Sequence, residues 1–385
     1  MKELEFENPT TTKDQKQSSQ KSQSVKKRLY SILICSLDTL FSMAIGAPCV
    51  VVYWRGTWEL SAHVLEPFGM LYSSLVSLAV GLIGYYMLAI VQKPLTRFLN
   101  PSKHRLSYFV VSRIYTFVFA FVSVNMWRGI WSLCDYFTGT DSLIITSALT
   151  GFTFVCLLGT RTLRNLLASP FGLAADHYNG YFDVDTLFRI QGSKAPGLFI
   201  LDTFYSVFII SVLVVVTWRG VWGIFDLTFY TDNILYSAWG STILGYSISI
   251  LGFILQPFVQ FILENIKGKF KIIFISDVFM TFCFLGAINI WRGIWMMADV
   301  YILPDDFIMS CWITHALGYI VLVMLNCSNT LIVRGVLIDG QEKSGECVSF
   351  PNRFIRVYFE RQREKKYNYL QLQQQQSQSD TPEKV

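Results

Sequence analysis

Charged side chains are scarce in this 385-residue sequence: 15% of the residues are charged and 52% are hydrophobic. That balance is too apolar for a soluble globular domain. Common catalytic motifs are also missing, with no Gly-rich phosphate loop, no Gly-x-Ser-x-Gly and no His-Glu-x-x-His. The four histidines are dispersed without ligand spacing, and the eight cysteines include no Cys-x-x-Cys pair. We therefore expect no enzyme, no metal site, no cofactor and no nucleic-acid-binding module.

Long apolar runs dominate the rest of the chain, and a helix needs roughly 20 such residues to cross hydrocarbon. Their length and their lack of alternation favour helices over barrel strands. The sequence therefore predicts an all-α integral membrane protein with eight transmembrane helices. The predicted spans are Leu29–Tyr53, Phe68–Val91, Tyr108–Met126, Leu143–Leu158, Leu198–Thr217, Ile234–Leu255, Phe270–Ile290 and Phe307–Val333.

A repeated phrase, Trp-Arg-Gly-x-Trp, closes every odd-numbered run. Its copies begin at Trp54, Trp127, Trp218 and Trp291, so that alternate copies are 164 residues apart. An aspartate follows eight residues after the first tryptophan in the last three copies, whereas the first copy has Ala62 there, with Glu66 nearby. Such a nested period indicates duplication. We expect two parallel four-helix repeats, each made of two helical hairpins.

Lysine and arginine are biased toward one face of the predicted bundle. The face that holds both termini carries the basic residues of the connections and tails, whereas the opposite face has only the four arginines of the phrase. The positive-inside rule then places the termini in the cytosol. The expected segments are a disordered N-terminal tail (1–28), a first repeat (29–160), a cytosolic linker (161–197), a second repeat (198–333) and a basic, Gln-rich C-terminal tail (334–385).

The C-terminal tail interleaves basic and aromatic residues from position 351 onward. Such a segment is expected to lie on anionic cytosolic lipid, or else to serve only as a charge cluster that sets the topology.

The repeated phrase and the aspartates that follow it are the first candidate functional group. We interpret them either as interfacial anchors and clamps between repeats, or as an outer rim that binds an anion or a partner's acidic loop. The arginine shares a helix face with the later aspartate if the helix continues, and pairs with a neighbouring hairpin if the glycine breaks it. The candidate rim residues are Trp54, Arg55, Trp127, Arg128, Asp135, Trp218, Arg219, Asp226, Trp291, Arg292 and Asp299.

Charges inside the apolar runs are the second candidate group, because ionisable residues at membrane depth are costly and often functional. They are Asp38, Arg113, Asp202 and Asp277, near the cytosolic ends of odd helices. They are interpreted as a buried ion pair centred on Arg113, as a proton or cation pathway, or as side chains that snorkel to the cytosol.

Eight predicted helices, cytosolic termini and the phrase after every odd helix resemble the Fuseless family of multi-pass membrane proteins, over roughly Leu29 to Val333. The resemblance implies a presynaptic plasma-membrane protein that supports neurotransmitter release by organising channel or scaffold proteins, such as calcium channels. It carries no catalytic residues over to this chain. The alternatives are a small-solute or ion transporter with a site between the two repeats, and a multi-pass scaffold outside neurons.

Overall fold

A computed structural model describes residues 29–99, 101, 103–173, 175–176, 180–184, 186–190, 194–333, 336, 339, 345–350, 352 and 354–379. The predictions for the N-terminal tail, residues 1–28, lie outside the described residues. Within the described chain the regular structure is helical throughout.

Eight helices of the described chain are long and apolar enough to cross a membrane. They are α1 (Leu29–Phe68), α2 (Met70–Phe98), α3 (Arg105–Thr138), α4 (Leu143–Thr160), α5 (Pro196–Thr228), α6 (Ile234–Asn265), α7 (Lys269–Tyr301) and α8 (Phe307–Met324). A ninth helix, α9 (Phe354–Ser379), follows. Short 3-10 helices at Leu163–Leu166 and Ser328–Leu331 follow α4 and α8. Each predicted run therefore contains a helix, although the last run ends its α-helix at Met324.

The odd helices do not stop at the repeated phrase, as the apolar runs suggested, but continue beyond it. The following even helices begin where a side chain caps the first free backbone N–H groups. Ser142 caps α4, Asn233 caps α6 and Asp306 caps α8. Before α2 the chain turns at Gly69, whose φ of +102° is readily adopted only by glycine.

Two compact units divide the chain: Ser42–Asn352, and the ends of the chain with Leu29–Phe41 and α9. Within the larger unit, the odd helices contact one another in cyclic order and form an inner ring. Each even helix packs outside this ring against the odd helix that follows it, and α8 packs against α1. The predicted hairpins joined each odd helix to the next even one. The closest packing is instead shifted by one helix around the ring.

The glycine of the phrase explains this shifted pairing, because it lies where the two helix backbones approach most closely. A Cβ on Gly129 of α3 would lie 2.4 Å from the backbone nitrogen of Leu78 in α2. A Cβ on Gly293 of α7 would lie 2.6 Å from the backbone nitrogen of Thr242 in α6. Small residues permit such close contact between apolar helices. The glycine thus serves helix packing, and the helix continues through it.

In the smaller unit, α9 packs along the beginning of α1. The rings of Phe41 and Phe354 stack with centroids 4.4 Å apart, and the backbone N–H of Ile355 donates to Oδ1 of Asp38 at 2.5 Å. Further along, Arg363 donates to the Tyr30 hydroxyl at 3.0 Å. The tail predicted from sequence as a basic segment is therefore helical here. Its contact with anionic lipid stays a prediction.

Candidate functional site

The first tryptophans of the four phrases meet in a closed ring inside the bundle. Ring centroids are 5.5 Å apart for Trp54–Trp127, 5.7 Å for Trp127–Trp218, 5.6 Å for Trp218–Trp291 and 5.5 Å for Trp291–Trp54. Interplanar angles between 71° and 85° make every contact edge-to-face, the arrangement that aromatic quadrupoles favour.

The second tryptophans repeat this arrangement one helical turn further along, because residues four apart share a helix face. The centroid distances are 5.6 Å for Trp58–Trp131, 5.8 Å for Trp131–Trp222, 5.9 Å for Trp222–Trp295 and 6.0 Å for Trp295–Trp58. Eight indoles in two layers thus fill the axis between the inner helices.

Three indole N–H groups of the first ring are fixed by backbone carbonyls. Trp54 donates to Leu331 at 3.1 Å, Trp218 to Leu166 at 3.1 Å and Trp291 to Ser169 at 2.9 Å. These three indoles are no more than 8% exposed. Their positions correct the interpretation as interfacial anchors, since the continuing helices bury them inside the bundle.

The arginines of the phrase form a second cyclic pattern. Each pairs with an acid on the preceding odd helix around the ring, so that no arginine snorkels and none pairs with its own helix. The four pairs are Arg55–Asp299 at 2.7 Å, Arg128–Glu66 at 3.1 Å, Arg219–Asp135 at 2.6 Å and Arg292–Asp226 at 2.8 Å. The arginine side chains are at most 4% exposed. These pairs join neighbouring helices of the inner ring.

The first copy of the phrase lacks the later aspartate, and the structure shows what replaces it. Glu66 lies one turn beyond Ala62, and its longer side chain reaches Arg128. The Glu66 side chain is 62% exposed, against 17% for Asp135 in the equivalent pair of α3 and α5. The Glu66 pair is therefore the most hydrated of the four.

Hydroxyl groups of the outer helices complete the coordination of three arginines. Arg128 donates to Ser73 at 2.7 Å and Ser77 at 2.8 Å. Arg292 likewise donates to Ser237 at 2.8 Å and Ser241 at 2.5 Å, while Arg55 contacts Ser310 and Thr314. A buried guanidinium needs such acceptors for its five N–H groups. Sequence reasoning missed these residues, although hydroxyl pairs four apart recur in all four even runs.

A cavity of about 190 Å³ lies against the first tryptophan ring. All four first tryptophans line it, together with apolar residues such as Val214 and Ile332. The indole N–H of Trp127 has no acceptor within the described part of the chain. The carbonyl of Val333, which also borders the cavity, instead accepts the Tyr85 hydroxyl at 2.5 Å. The cavity is therefore bordered by one indole whose N–H has no acceptor among the described residues.

Comparison with known families identifies this architecture. The family model described as Fuseless matches residues 33–332, which include all four phrases and all eight spans except the first four residues of α1. The chain belongs to the Fuseless family. No curated protein and no solved structure matches it. Among the described residues of this Fuseless chain, no group of three or more His, Cys, Asp or Glu side chains is placed to hold a metal ion.

The charges inside the spans hold connecting segments rather than one another. Arg113 pairs with Asp176 of the linker and donates to Asn326 at 2.7 Å. Asp202 accepts the backbone N–H groups of Phe188 and Ile190, both at 3.1 Å. The proposed ion pair between Arg113 and the acids of the spans is therefore wrong. The physical reason is that side-chain oxygens of Asp176 and Asn326 already bind Arg113, while Asp202 is occupied by backbone donors of an irregular segment, which need acceptors.

The remaining two charges also contact groups outside this set of four. Asp277 lies 3.6 Å from Arg161 at the end of α4, and Asp38 accepts the N–H of Ile355, as described above.

Two acids outside the spans cap the 3-10 helices, and neither stood out in the sequence. Asp176 accepts the backbone N–H of Asn329 at 2.8 Å, and Asp339 accepts that of Leu163 at 2.8 Å. Asp176 thus joins the linker to the segment after α8, while Asp339 joins the C-terminal segment to that after α4. Burial raises the pKa of Asp339 to about 6, although its backbone hydrogen bonds act in the opposite direction.

Proposed function

We propose that this protein organises partner proteins, such as calcium channels, at the presynaptic plasma membrane and does not itself catalyse a reaction. Membership of the Fuseless family supports a presynaptic role. The bias of Lys and Arg toward one face supports an orientation with both termini in the cytosol. Eight apolar helices support insertion as a multi-pass protein.

Two parallel four-helix repeats account for the recurrence of the same contacts 164 residues apart. Ser73 and Ser77 hold Arg128 as Ser237 and Ser241 hold Arg292. π-Helical turns at Ser42–Gly46 in α1 and Tyr205–Ile210 in α5 occupy corresponding places before the phrase.

The closed double ring of tryptophans is the observation that carries the proposal. Eight indoles fill the axis, and every arginine of the phrase is already paired within the bundle. The arginines of the rim are therefore already neutralised by acids of the bundle, and the indoles occupy the axis between the inner helices. A rigid bundle of this kind suits a platform whose partners bind elsewhere.

The cytosolic helix α9 is the surface we propose for such partners. Its exposed side chains mix aromatic and charged groups, among them Tyr358, Lys366 and Tyr367. Aromatic and basic residues are common anchors of protein interfaces.

Pull-down from native membranes in mild detergent tests this proposal, by comparing the full chain with a variant that ends at Asn352. A truncation at residue 334 would be a poor choice, because Val348 and Phe350 pack with Phe171 in a hydrophobic core. Channel proteins should co-purify with the full chain and be lost with α9. Equal recovery with both chains would contradict the role of α9.

A transporter remains the second candidate, because the cavity beside the first ring holds space and an unpaired donor. Reconstituted vesicles would test it with organic anions as substrates. Flux that depends on the chain and falls in Trp127→Phe would favour transport. Vesicles that show no flux above protein-free controls would favour the platform.

A further inference from the structure

A groove on the outer surface between α4 and α7 combines apolar walls with one pair of opposite charges. Its volume is about 470 Å³. The apolar lining comes from both helices and includes Phe154, Leu158 and Val278, while Arg161 and Asp277 supply the charges. Long acyl chains fit such apolar walls, and a charged headgroup fits the pair.

The length of α4 places this pair at the level of lipid headgroups, given the membrane insertion on which the proposed function rests. Its 18 residues span about 27 Å at 1.5 Å per residue. That length is close to the thickness of a bilayer's hydrocarbon core, about 30 Å. Arg161 follows directly as the left-handed C-cap of α4, so Arg161 and Asp277 lie at the cytosolic edge of the hydrocarbon.

The pair itself is incompletely satisfied. The nearest atoms, Nη1 of Arg161 and Oδ2 of Asp277, are 3.6 Å apart, which is longer than a hydrogen bond. Oδ1 of Asp277 is buried and has no hydrogen-bond partner in the described chain. Both side chains remain partly accessible, at 27% for Arg161 and 15% for Asp277. A carboxylate with too few donors is unfavourable when it is partly buried, so a ligand whose N–H group reaches the accessible part of Asp277 would be stabilised here.

We propose that this groove binds a phospholipid whose headgroup carries both a phosphodiester and a primary ammonium, as in phosphatidylethanolamine. The ammonium donates to Asp277, the phosphate accepts from Arg161, and an acyl chain lies along Phe154 and Val278. Choline has no N–H group and cannot donate to the carboxylate. A headgroup that is only anionic brings no N–H group to Asp277 and adds a second negative charge beside its carboxylate.

A second groove of the same chain provides an internal comparison. Arg113 stands 164 residues before Asp277 and lines a cavity of about 560 Å³ with Arg105 and Asp176. The carboxylate there already accepts from Ser328 and Asn329. Of these two grooves, only the one between α4 and α7 therefore leaves a carboxylate oxygen for an ammonium group.

Native mass spectrometry of the full chain tests the proposal, with dioleoyl phosphatidylethanolamine and dioleoyl phosphatidylcholine in direct competition. One charge-assisted hydrogen bond corresponds to a preference of about tenfold for the ethanolamine lipid. Asp277→Asn should reduce this preference to near unity. Val278→Trp should fill the groove and reduce binding of both lipids, whereas Ile243→Trp, on the exposed surface of α6, should bind like the wild type.

Several outcomes would overturn the proposal. Equal binding of the two lipids by the wild-type chain would show no selection for ammonium, and an unchanged preference in Asp277→Asn would exclude the carboxylate. Full displacement of the lipid by soluble glycerophosphoethanolamine would exclude the acyl-chain contact. If Asp277→Asn does not fold, the comparison of Val278→Trp with Ile243→Trp decides, because identical lipid binding by those two variants would place the lipid elsewhere. Loss of lipid selection with retained partner binding would leave the proposed organising function intact.

Discussion

Replacing one of the four acids that pair with the arginines of the phrase should lower the free energy of unfolding by very different amounts at different positions. Asp135 is 17% exposed and pairs with Arg219, which is 4% exposed. Asp135→Leu leaves that guanidinium with the carbonyl of Gly139 at 2.6 Å as its remaining acceptor among the described residues. Breaking a buried pair on one side typically costs about 3–5 kcal/mol. We expect a loss near 3 kcal/mol here, since one strong hydrogen bond remains.

Glu66→Leu is the matched comparison on the neighbouring interface. Its carboxylate is 62% exposed, and Arg128 keeps the hydroxyl groups of Ser73 and Ser77 as acceptors. Exposed pairs contribute about 1 kcal/mol or less. The free energy of unfolding should therefore fall by no more than that amount.

The assay is unfolding of the purified chain in mixed micelles, titrated with a denaturing detergent. Tryptophan fluorescence reports directly on the two rings. The double variant Asp135→Leu with Arg219→Met should recover most of the lost stability, because it removes both charges from the buried pair. Equal losses of stability for the two single variants, or no recovery in the double variant, would refute the conclusion that burial determines how much each ion pair stabilises the bundle.

Two further predictions concern packing and pH. Gly293→Ala places a methyl group 2.6 Å from the backbone of Thr242 and should separate α6 from α7, whereas Gly151→Ala meets no atom within 4 Å and should be tolerated; thermal unfolding of the two variants gives the comparison. The raised pKa of Asp339, about 6 against an ordinary value of 3.8, means that the folded state binds the proton more tightly than the unfolded state. The contribution of Asp339 to the free energy of unfolding is therefore fully present below about pH 4 and is lost as the pH rises through about 6. The variant Asp339→Asn should show a smaller change in the free energy of unfolding over this pH range.

Much of the helical framework follows directly from the sequence. Eight apolar runs predict eight helices because only a helix satisfies its own backbone in hydrocarbon. The four copies of the phrase predict four equivalent sets of contacts, because the two tryptophans of each copy, such as Trp54 and Trp58, share one helix face. Ser237 and Ser241 are four residues apart and share one face of α6. Their spacing was therefore a signal from which the hydroxyl acceptors of Arg292 could have been predicted.

Other contacts depend on long-range closure, which no local pattern specifies. Packing of α8 against α1 joins segments more than 250 residues apart, through Gly56 and Cys311. The capping acids Asp176 and Asp339 lie in irregular segments. No periodic sequence pattern distinguishes them there from other surface carboxylates. The burial of the phrase inside the bundle is hard to predict for a related reason, since Trp and Arg favour both interfaces and buried polar clusters. Only tertiary packing distinguishes the two.

The four ion pairs between arginines of the phrase and acids of neighbouring odd helices are buried to different degrees. This difference bears on whether the two proposed repeats move against each other. The pairs that join α1–α4 to α5–α8 are Arg55–Asp299 and Arg219–Asp135, with acids 30% and 17% exposed. The pairs within each set of four helices have acids 62% and 50% exposed. A transporter that rocks one repeat against the other must break the two most buried pairs and separate two layers of tryptophans. The same contacts are favourable in a rigid platform, and this contrast is our strongest structural reason for preferring the organiser over the transporter.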